Sequence, residues 1–217
     1  MLYAGFPDRV WLAGDVLGPF RIGFIYGMVA AIVGLAADLR FFLIDPSAID
    51  TWVLAVIETY RSSLALATCL FLGILAALRV RPTSLEPGVP YTSLLLRDSA
   101  LAATIVAVMF GATVFLTVAL QATLFADEVR TYAAEAAPRI VSYLDELARR
   151  FDNPSPTTVG AVESDLQPPA LRDLGRSITN LVLRAVLLGT LGALVGALRG
   201  RFGASAGARA GGKPRTG

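Results

Sequence analysis

The sequence predicts an all-α integral membrane protein, a membrane-spanning four-helix bundle with a helical extramembrane loop between the third and fourth spans. Of its 217 residues, 55% are hydrophobic and 17% are charged, whereas soluble domains contain roughly 45 to 50% apolar and about 25% charged residues. The apolar residues are gathered into four runs, each long enough to cross a hydrocarbon core of about 30 Å as a helix. Such an uneven distribution indicates contact with lipid rather than a single aqueous core.

Four segments match transmembrane helices in length and composition. They are Ile22–Ala37, Ser62–Leu78, Ser99–Ala126 and Ser177–Leu198. The first can continue to Ile44 if Asp38 and Arg40 lie at the membrane interface. It could instead be a signal-peptide core, but Asp8 and Pro19 precede it and a compact basic start is missing, which disfavours that alternative.

The charged residues around the spans predict the orientation. The side that holds both termini has ten basic and four acidic residues, whereas the other side has nine basic and thirteen acidic ones. Because basic residues are retained in the cytoplasm, we expect both termini inside. The predicted order is a cytoplasmic or interfacial segment 1–20, three spans in 21–126, an outer helical loop 127–176, the fourth span in 177–200 and a flexible basic tail 201–217.

The outer loop is predicted to contain an amphipathic helix over Asp127–Phe151. This helix either continues the third span or restarts at Pro138, a residue suited to a first helical position. An apolar stripe with helical spacing consists of Ile140, Leu144, Leu147 and Phe151. The stripe predicts either packing against the bundle or lipid headgroups, or a docking face for a partner. A short helix is predicted at Thr158–Leu166, and Pro169 is predicted to start the helix that leads into the fourth span.

Rows of small residues predict where the helices meet. Helices in a membrane associate through close packing of small side chains, since lipid tails are as apolar as leucine. Gly192, Gly196 and Gly200 form one row on the fourth span, and Gly23 and Gly27 lie four apart on the first. We predict that these glycines form contact faces, either within the bundle or between copies of the chain.

Four charged residues near the outer ends of the spans are candidates for interfacial ion pairs. They are Glu58, Arg61, Arg184 and Asp127. Glu58 and Arg61 are three apart, so they can pair on one helix face. Arg184 lies inside the fourth span and most needs a partner, for which Glu58, Asp127 and Glu128 are candidates. We interpret these pairs as fixing the geometry of the bundle, with a substrate site as the alternative.

Histidine and cysteine, which often catalyse reactions or bind metals, are scarce in this chain. Histidine is absent and Cys69 is the one cysteine, which excludes histidine catalysis, thiolate metal clusters and an intrachain disulfide. We expect no catalytic residue, metal or cofactor. The expected partners are membrane lipids and other membrane-protein subunits or further copies of the chain. Nucleic acid is not expected, because no aromatic residue follows Phe202 to stack on bases.

The layout of the chain is similar to that of a known family. The similarity lies in the glycine-rich first span, the basic connection Leu78–Arg81, the approach Pro90–Leu94 to the third span and the closing Leu194–Arg201. In these features the chain resembles an uncharacterised family of four-pass bacterial inner-membrane proteins, over roughly Ile22–Arg201. The resemblance implies a location in the inner membrane, but no activity, ligand or catalytic residue.

Three functions are compatible with this pattern. The leading hypothesis is a non-enzymatic structural or accessory subunit of a membrane assembly, because small-residue faces occur on every span. The alternative is a small permease or channel for an uncharged or lipidic solute, because Thr104, Thr113 and Thr117 place hydroxyl groups in the third span. A membrane enzyme comes third, since it would have to use charges such as Glu58 and Arg61 at the outer face.

Overall fold

The chain folds entirely as α-helices over the residues that the structure describes. The structure, a computed structural model, describes residues 18–81, 89–151 and 157–211, with side chains as far as Phe202. The helices are α1 (Pro19–Asp38), α2 (Arg40–Leu43), α3 (Thr51–Arg79), α4 (Tyr91–Thr123), α5 (Ala126–Arg150), α6 (Val159–Leu166) and α7 (Asp173–Gly211). Four of them, α1, α3, α4 and the part of α7 up to Phe202, are long and apolar enough to cross a membrane. The predicted all-α fold with four spans is therefore confirmed.

The spanning helices begin and end at different residues from the predicted spans. The first span does not run unbroken to Ile44, because α1 ends at Asp38 and the single turn of α2 follows. α4 begins at Tyr91 rather than at Ser99. Arg97 and Asp98 interrupt the apolar pattern there, and their side chains pair at 3.0 Å within the helix.

The extramembrane helix α5 begins neither as an extension of the third span nor at Pro138, so both predicted alternatives are wrong. α4 ends at Thr123, and the chain turns before α5 starts at Ala126, with the N–H of Phe125 donating to the carbonyl of Leu120. Pro138 lies inside α5 on its exposed side. Buried residues continue along α5 on both sides of this proline. Their packing offsets the loss of the backbone hydrogen bond that proline cannot donate.

Helix α7 also differs from the prediction at both ends. It begins at Asp173 rather than at Pro169, because the backbone bonds from Asp173 to Ala170 and from Leu174 to Leu171 span only three residues and form a tight turn. At the other end α7 continues to Gly211, so much of the predicted flexible tail is helical. Alanine has the highest helix propensity, and it alternates with glycine and serine in this stretch. Residues 212–217 lie outside the described part.

The chain divides into two compact units. The first contains the described residues of Met1–Met28, Leu70–Val108 and Leu183–Gly217, and the second contains Val29–Cys69 and Met109–Val182. Each of the four long helices therefore contributes residues to both units.

The first unit contains the glycine row of α7, which packs on α4. A Cβ atom added to Gly192 would lie 2.6 Å from the carbonyl oxygen of Ser99, and one added to Gly196 would lie 2.7 Å from that of Leu95. At Gly200 the added atom would meet the side chain of Thr92 at 2.8 Å. The two helix backbones thus approach so closely that no larger residue fits between them without movement.

The two glycines of α1 that were predicted to form a contact face, Gly23 and Gly27, are also buried in the first unit. A Cβ atom added to Gly23 would lie 2.9 Å from the carbonyl oxygen of Ala102 on α4. The hydroxyl of Ser99 donates to the carbonyl of Ala77 at 3.1 Å, and Arg199 donates to the same carbonyl at 2.8 Å. Small residues and a few buried hydrogen bonds therefore join the helix segments of this unit.

The second unit has a hydrophobic core shared by α3, α5 and α6. Its buried members are Leu54, Ala55, Tyr132, Ala133, Ala136, Ala137, Ile140 and Leu166. Alanines on one face of α5 let its backbone lie close to α3, while Leu144 and Val162 pack against the edge of the core. The extramembrane helices are thus held against the second span by their own buried surface.

Candidate functional site

A cluster of buried charges in the second unit is the candidate functional site. Its centre is Glu58 on α3, whose side chain is only 5% exposed. Oε1 of Glu58 accepts hydrogen bonds from Nε of Arg40 at 2.5 Å and from the hydroxyl of Tyr132 at 2.6 Å. Nε of Arg61 lies 3.3 Å from Oε2. Three cationic or donor groups therefore converge on one carboxylate.

Three helices position these groups. Glu58 and Arg61 are one turn apart on α3, and they form the local pair that their spacing predicts. Arg40 is the first residue of α2 and is buried, with its side chain 6% exposed. Tyr132 lies on the buried face of α5. The guanidinium of Arg40 also lies 5.4 Å from the ring centre of Tyr132, within the range of a cation–π contact.

A second set of polar contacts holds the end of α1. The hydroxyl of Thr117 donates to the carboxylate of Asp38 at 2.5 Å, and the side-chain amide of Gln121 donates to the backbone carbonyl of Asp38 at 2.7 Å. The carbonyls of a helix's last turn have no partner within the helix. Gln121 thus satisfies one of them from α4, and the C-terminal end of α1 is fixed at the level of residues 117–121.

The four charged side chains of these two sets of contacts carry opposite signs in equal number. Asp38 and Glu58 supply two negative charges and Arg40 and Arg61 two positive ones, so their formal sum is zero. Burial, followed by the negative charge of Glu58, raises the pKa of Tyr132 above its ordinary value. The phenol therefore stays protonated at physiological pH and remains a hydrogen-bond donor. Each charged group has an opposite charge or a polar partner, as buried charges require.

The other residues predicted to form ion pairs lie on α5 and α7. Asp127 pairs with Arg130 at 2.5 Å on the exposed side of α5. Arg184 is partly buried and belongs to the first unit. Glu128 is exposed at the start of α5.

The predicted apolar stripe of α5 is divided between the interior and the surface. Ile140 is 5% exposed and belongs to the core, and Leu144 packs against it. Leu147 is partly buried, whereas Phe151 is 75% exposed. The first half of the proposed docking face is therefore covered by the protein's own α3 and α6.

Arg40, Asp38 and Tyr132 belong to this site but are not among the residues predicted for it from the sequence. Arg40 and Asp38 are visible as charges just beyond an apolar run, which is a signal that could have identified them. Tyr132 has no comparable signal, because the residues that follow it in the sequence are alanines rather than the larger apolar residues that form a recognisable stripe. Within the described residues, no group of three His, Cys, Asp or Glu is placed to hold a metal ion.

The fold and this site define a class, an all-α multi-pass membrane protein with a charge-balanced polar cluster that joins membrane helices to an extramembrane helix. Comparisons with family models, with characterised proteins and with solved structures found no match.

Proposed function

We propose that the protein is a non-enzymatic structural or accessory subunit of a membrane assembly in the bacterial inner membrane. The observation that best supports this proposal is that the charged side chains of the cluster form ion pairs with one another. Glu58 joins Arg40, Arg61 and Tyr132, and these contacts connect α2, α3 and α5. The cluster holds the extramembrane helices in a fixed position against the membrane helices.

The burial of the cluster supports this role over catalysis. A catalytic group must reach the substrate in a suitable pose. The side chains of Glu58 and Arg40 are 5% and 6% exposed and face each other, so a substrate would have to displace a buried ion pair to reach either one. A rigid platform that presents α5 and α6 to other proteins needs no such access.

The subunit role is tested by extraction from native membranes in a mild detergent, followed by native mass analysis. We expect a defined complex heavier than the 22.9 kDa of one chain, either with another protein or with further copies. Repeating the extraction in a harsh detergent should release the single chain. A strict monomer with no bound protein in the mild detergent would contradict the proposed function.

The charge asymmetry supports an orientation in which both termini are cytoplasmic and α5 and α6 lie outside. This orientation predicts the pattern of labelling by a membrane-impermeant maleimide in intact cells. Ser142→Cys, at an exposed position on α5, should react, whereas Ser93→Cys, at an exposed position near the start of α4, should react only after permeabilisation. Cys69 is buried and serves as the unlabelled background. The opposite pattern would reverse the orientation.

A further inference from the structure

An exposed apolar surface lies beside the charge cluster, at the ends of α1 and α4. Phe42 and Leu43 of α2 are 54% and 68% exposed, and Leu124, in the turn between α4 and α5, is 70% exposed. The rings of Phe42 and Phe125 pack edge to face at 5.0 Å, so α2 and this turn form one continuous surface. Apolar side chains exposed to this extent in a group mark a site of contact with a partner or with lipid.

The position of this surface indicates lipid. α1 ends at Asp38 and α4 ends at Thr123, and both helices are candidate spans. The contact between Gln121 and Asp38 shows that these two ends are level. Phe42, Leu43 and Leu124 follow directly after those ends. They therefore lie at the boundary where the acyl chains meet the headgroups, if the four helices cross the bilayer as proposed.

A cleft of about 1000 Å³ opens between this apolar surface and the first half of α5. Its volume is at the upper end of the range for small-molecule sites, about 300 to 1,000 Å³. Residues 41–47 form one wall and α5 forms the other. A ligand in the cleft would contact apolar side chains on one side and polar side chains of α5 on the other.

The polar lining of the cleft is strongly acidic. Four carboxylates line it, those of Asp45, Asp127, Glu128 and Glu135, against the single basic residue Arg139. Hydrogen bonds from Ser47 hold the pKa of Asp45 below its ordinary value, so this carboxylate is charged at neutral pH.

Two of these carboxylates are free to take a cation. Asp127 is paired with Arg130, and Arg139 donates to the carbonyl of Ile49 at 2.7 Å. Within the part of the chain that the structure describes, Glu128 and Glu135 form no ion pair. Their charge is unbalanced inside the cleft, and it opposes the binding of an anionic headgroup.

We propose that the cleft binds the ammonium group of a zwitterionic phospholipid, phosphatidylethanolamine, with its acyl chains along Phe42, Leu43 and Leu124. The carboxylates of Glu128 and Glu135 pair with the ammonium, and the ring of Phe42 adds a cation–π contact. Arg139 is the one lining cation that faces the phosphate. The proposal rests on the membrane location in the proposed function, but it is independent of the accessory role.

The test is native mass spectrometry of the purified full chain titrated with single lipids. Phosphatidylethanolamine should stay bound at about tenfold lower concentration than phosphatidylglycerol, which has no amine. The double variant Glu128→Gln, Glu135→Gln should lose most of this tenfold preference, which corresponds to about 1.4 kcal/mol, since it removes both carboxylates that pair with the ammonium. The matched control, Asp145→Asn with Glu163→Gln, removes the same charge elsewhere on the outer helices and should keep the preference.

Three results would overturn the proposal. The first is equal binding of the two lipids by the unaltered chain, and the second is an unchanged preference in the double variant. The third is displacement of the lipid by soluble phosphoethanolamine at a similar concentration, which would make the ligand a soluble amine rather than a lipid. A monomer that prefers phosphatidylethanolamine would contradict only the accessory role, and an oligomer without this preference would contradict only the lipid site.

Discussion

Replacing Glu58 by Gln is expected to lower the free energy of unfolding by about 3 to 5 kcal/mol, the range for removing one partner of a buried ion pair. The change leaves the guanidinium of Arg40, whose side chain is 6% exposed, without its ion-pair partner. It also removes the charged acceptor of Tyr132. Thermal unfolding in detergent, followed by tryptophan fluorescence, should show a large fall in the midpoint, because Trp52 lies on the same helix.

Two companion variants separate this effect from a general loss of surface charge. Glu146→Gln removes an exposed carboxylate that pairs with Arg150 and should change stability by no more than about 0.5 kcal/mol. Combining Arg40→Met with Glu58→Leu removes both charges, and it should recover part of the loss, since apolar replacement of a buried pair is often tolerated. If Glu58→Gln were no worse than Glu146→Gln, the cluster would not hold the helices together.

Enlarging Gly196 is expected to separate α7 from α4. A Cβ atom there would lie 2.7 Å from the carbonyl oxygen of Leu95 and 2.8 Å from Cα of Leu96, and backbone atoms cannot move aside as a flexible side chain can. Gly196→Ala should therefore cost about 1 to 3 kcal/mol, the usual cost of overpacking. Gly196→Leu should cost more and prevent recovery of a single folded species by size-exclusion chromatography.

Gly175→Ala is the matched control for this experiment. Gly175 is also on α7, but nothing lies within 4 Å of an added Cβ atom. Alanine is the better helix former by about 1 kcal/mol, so this variant should be neutral or slightly more stable. Opposite signs at Gly175 and Gly196 are the expected result. The same sign at both would show that the close approach of α7 to α4 contributes no stability.

The membrane helices could be predicted from the sequence because their signals are local. Twenty or so apolar residues identify a span wherever they occur, and glycines four apart share a helix face regardless of the fold. The pair of Glu58 and Arg61 is local in the same sense. The residues at which the helices end were harder to predict from the sequence. The chain breaks at Leu39 and again at Leu124 without glycine or proline at either point.

The rest of the site could not be predicted because its partners are distant in sequence. Arg40 is 18 residues from Glu58, and Tyr132 is 74 residues away. The contacts between them depend on how α2 and α5 pack against α3. Pro138 is a case in which a local sequence preference gave a wrong prediction. Its local preference for a first helical position was overridden by buried residues on both sides of it in α5.

The order of the cluster's residues along the chain has a consequence for biogenesis. A lone arginine or glutamate is costly to transfer into the bilayer. Arg40 and Glu58 border the first two spans, and both are synthesised before Tyr132. Their pair can therefore form once α2 and α3 have been synthesised, before α5 is present. Tyr132 of α5 can join this pair only after α1, α3 and α4 have been synthesised.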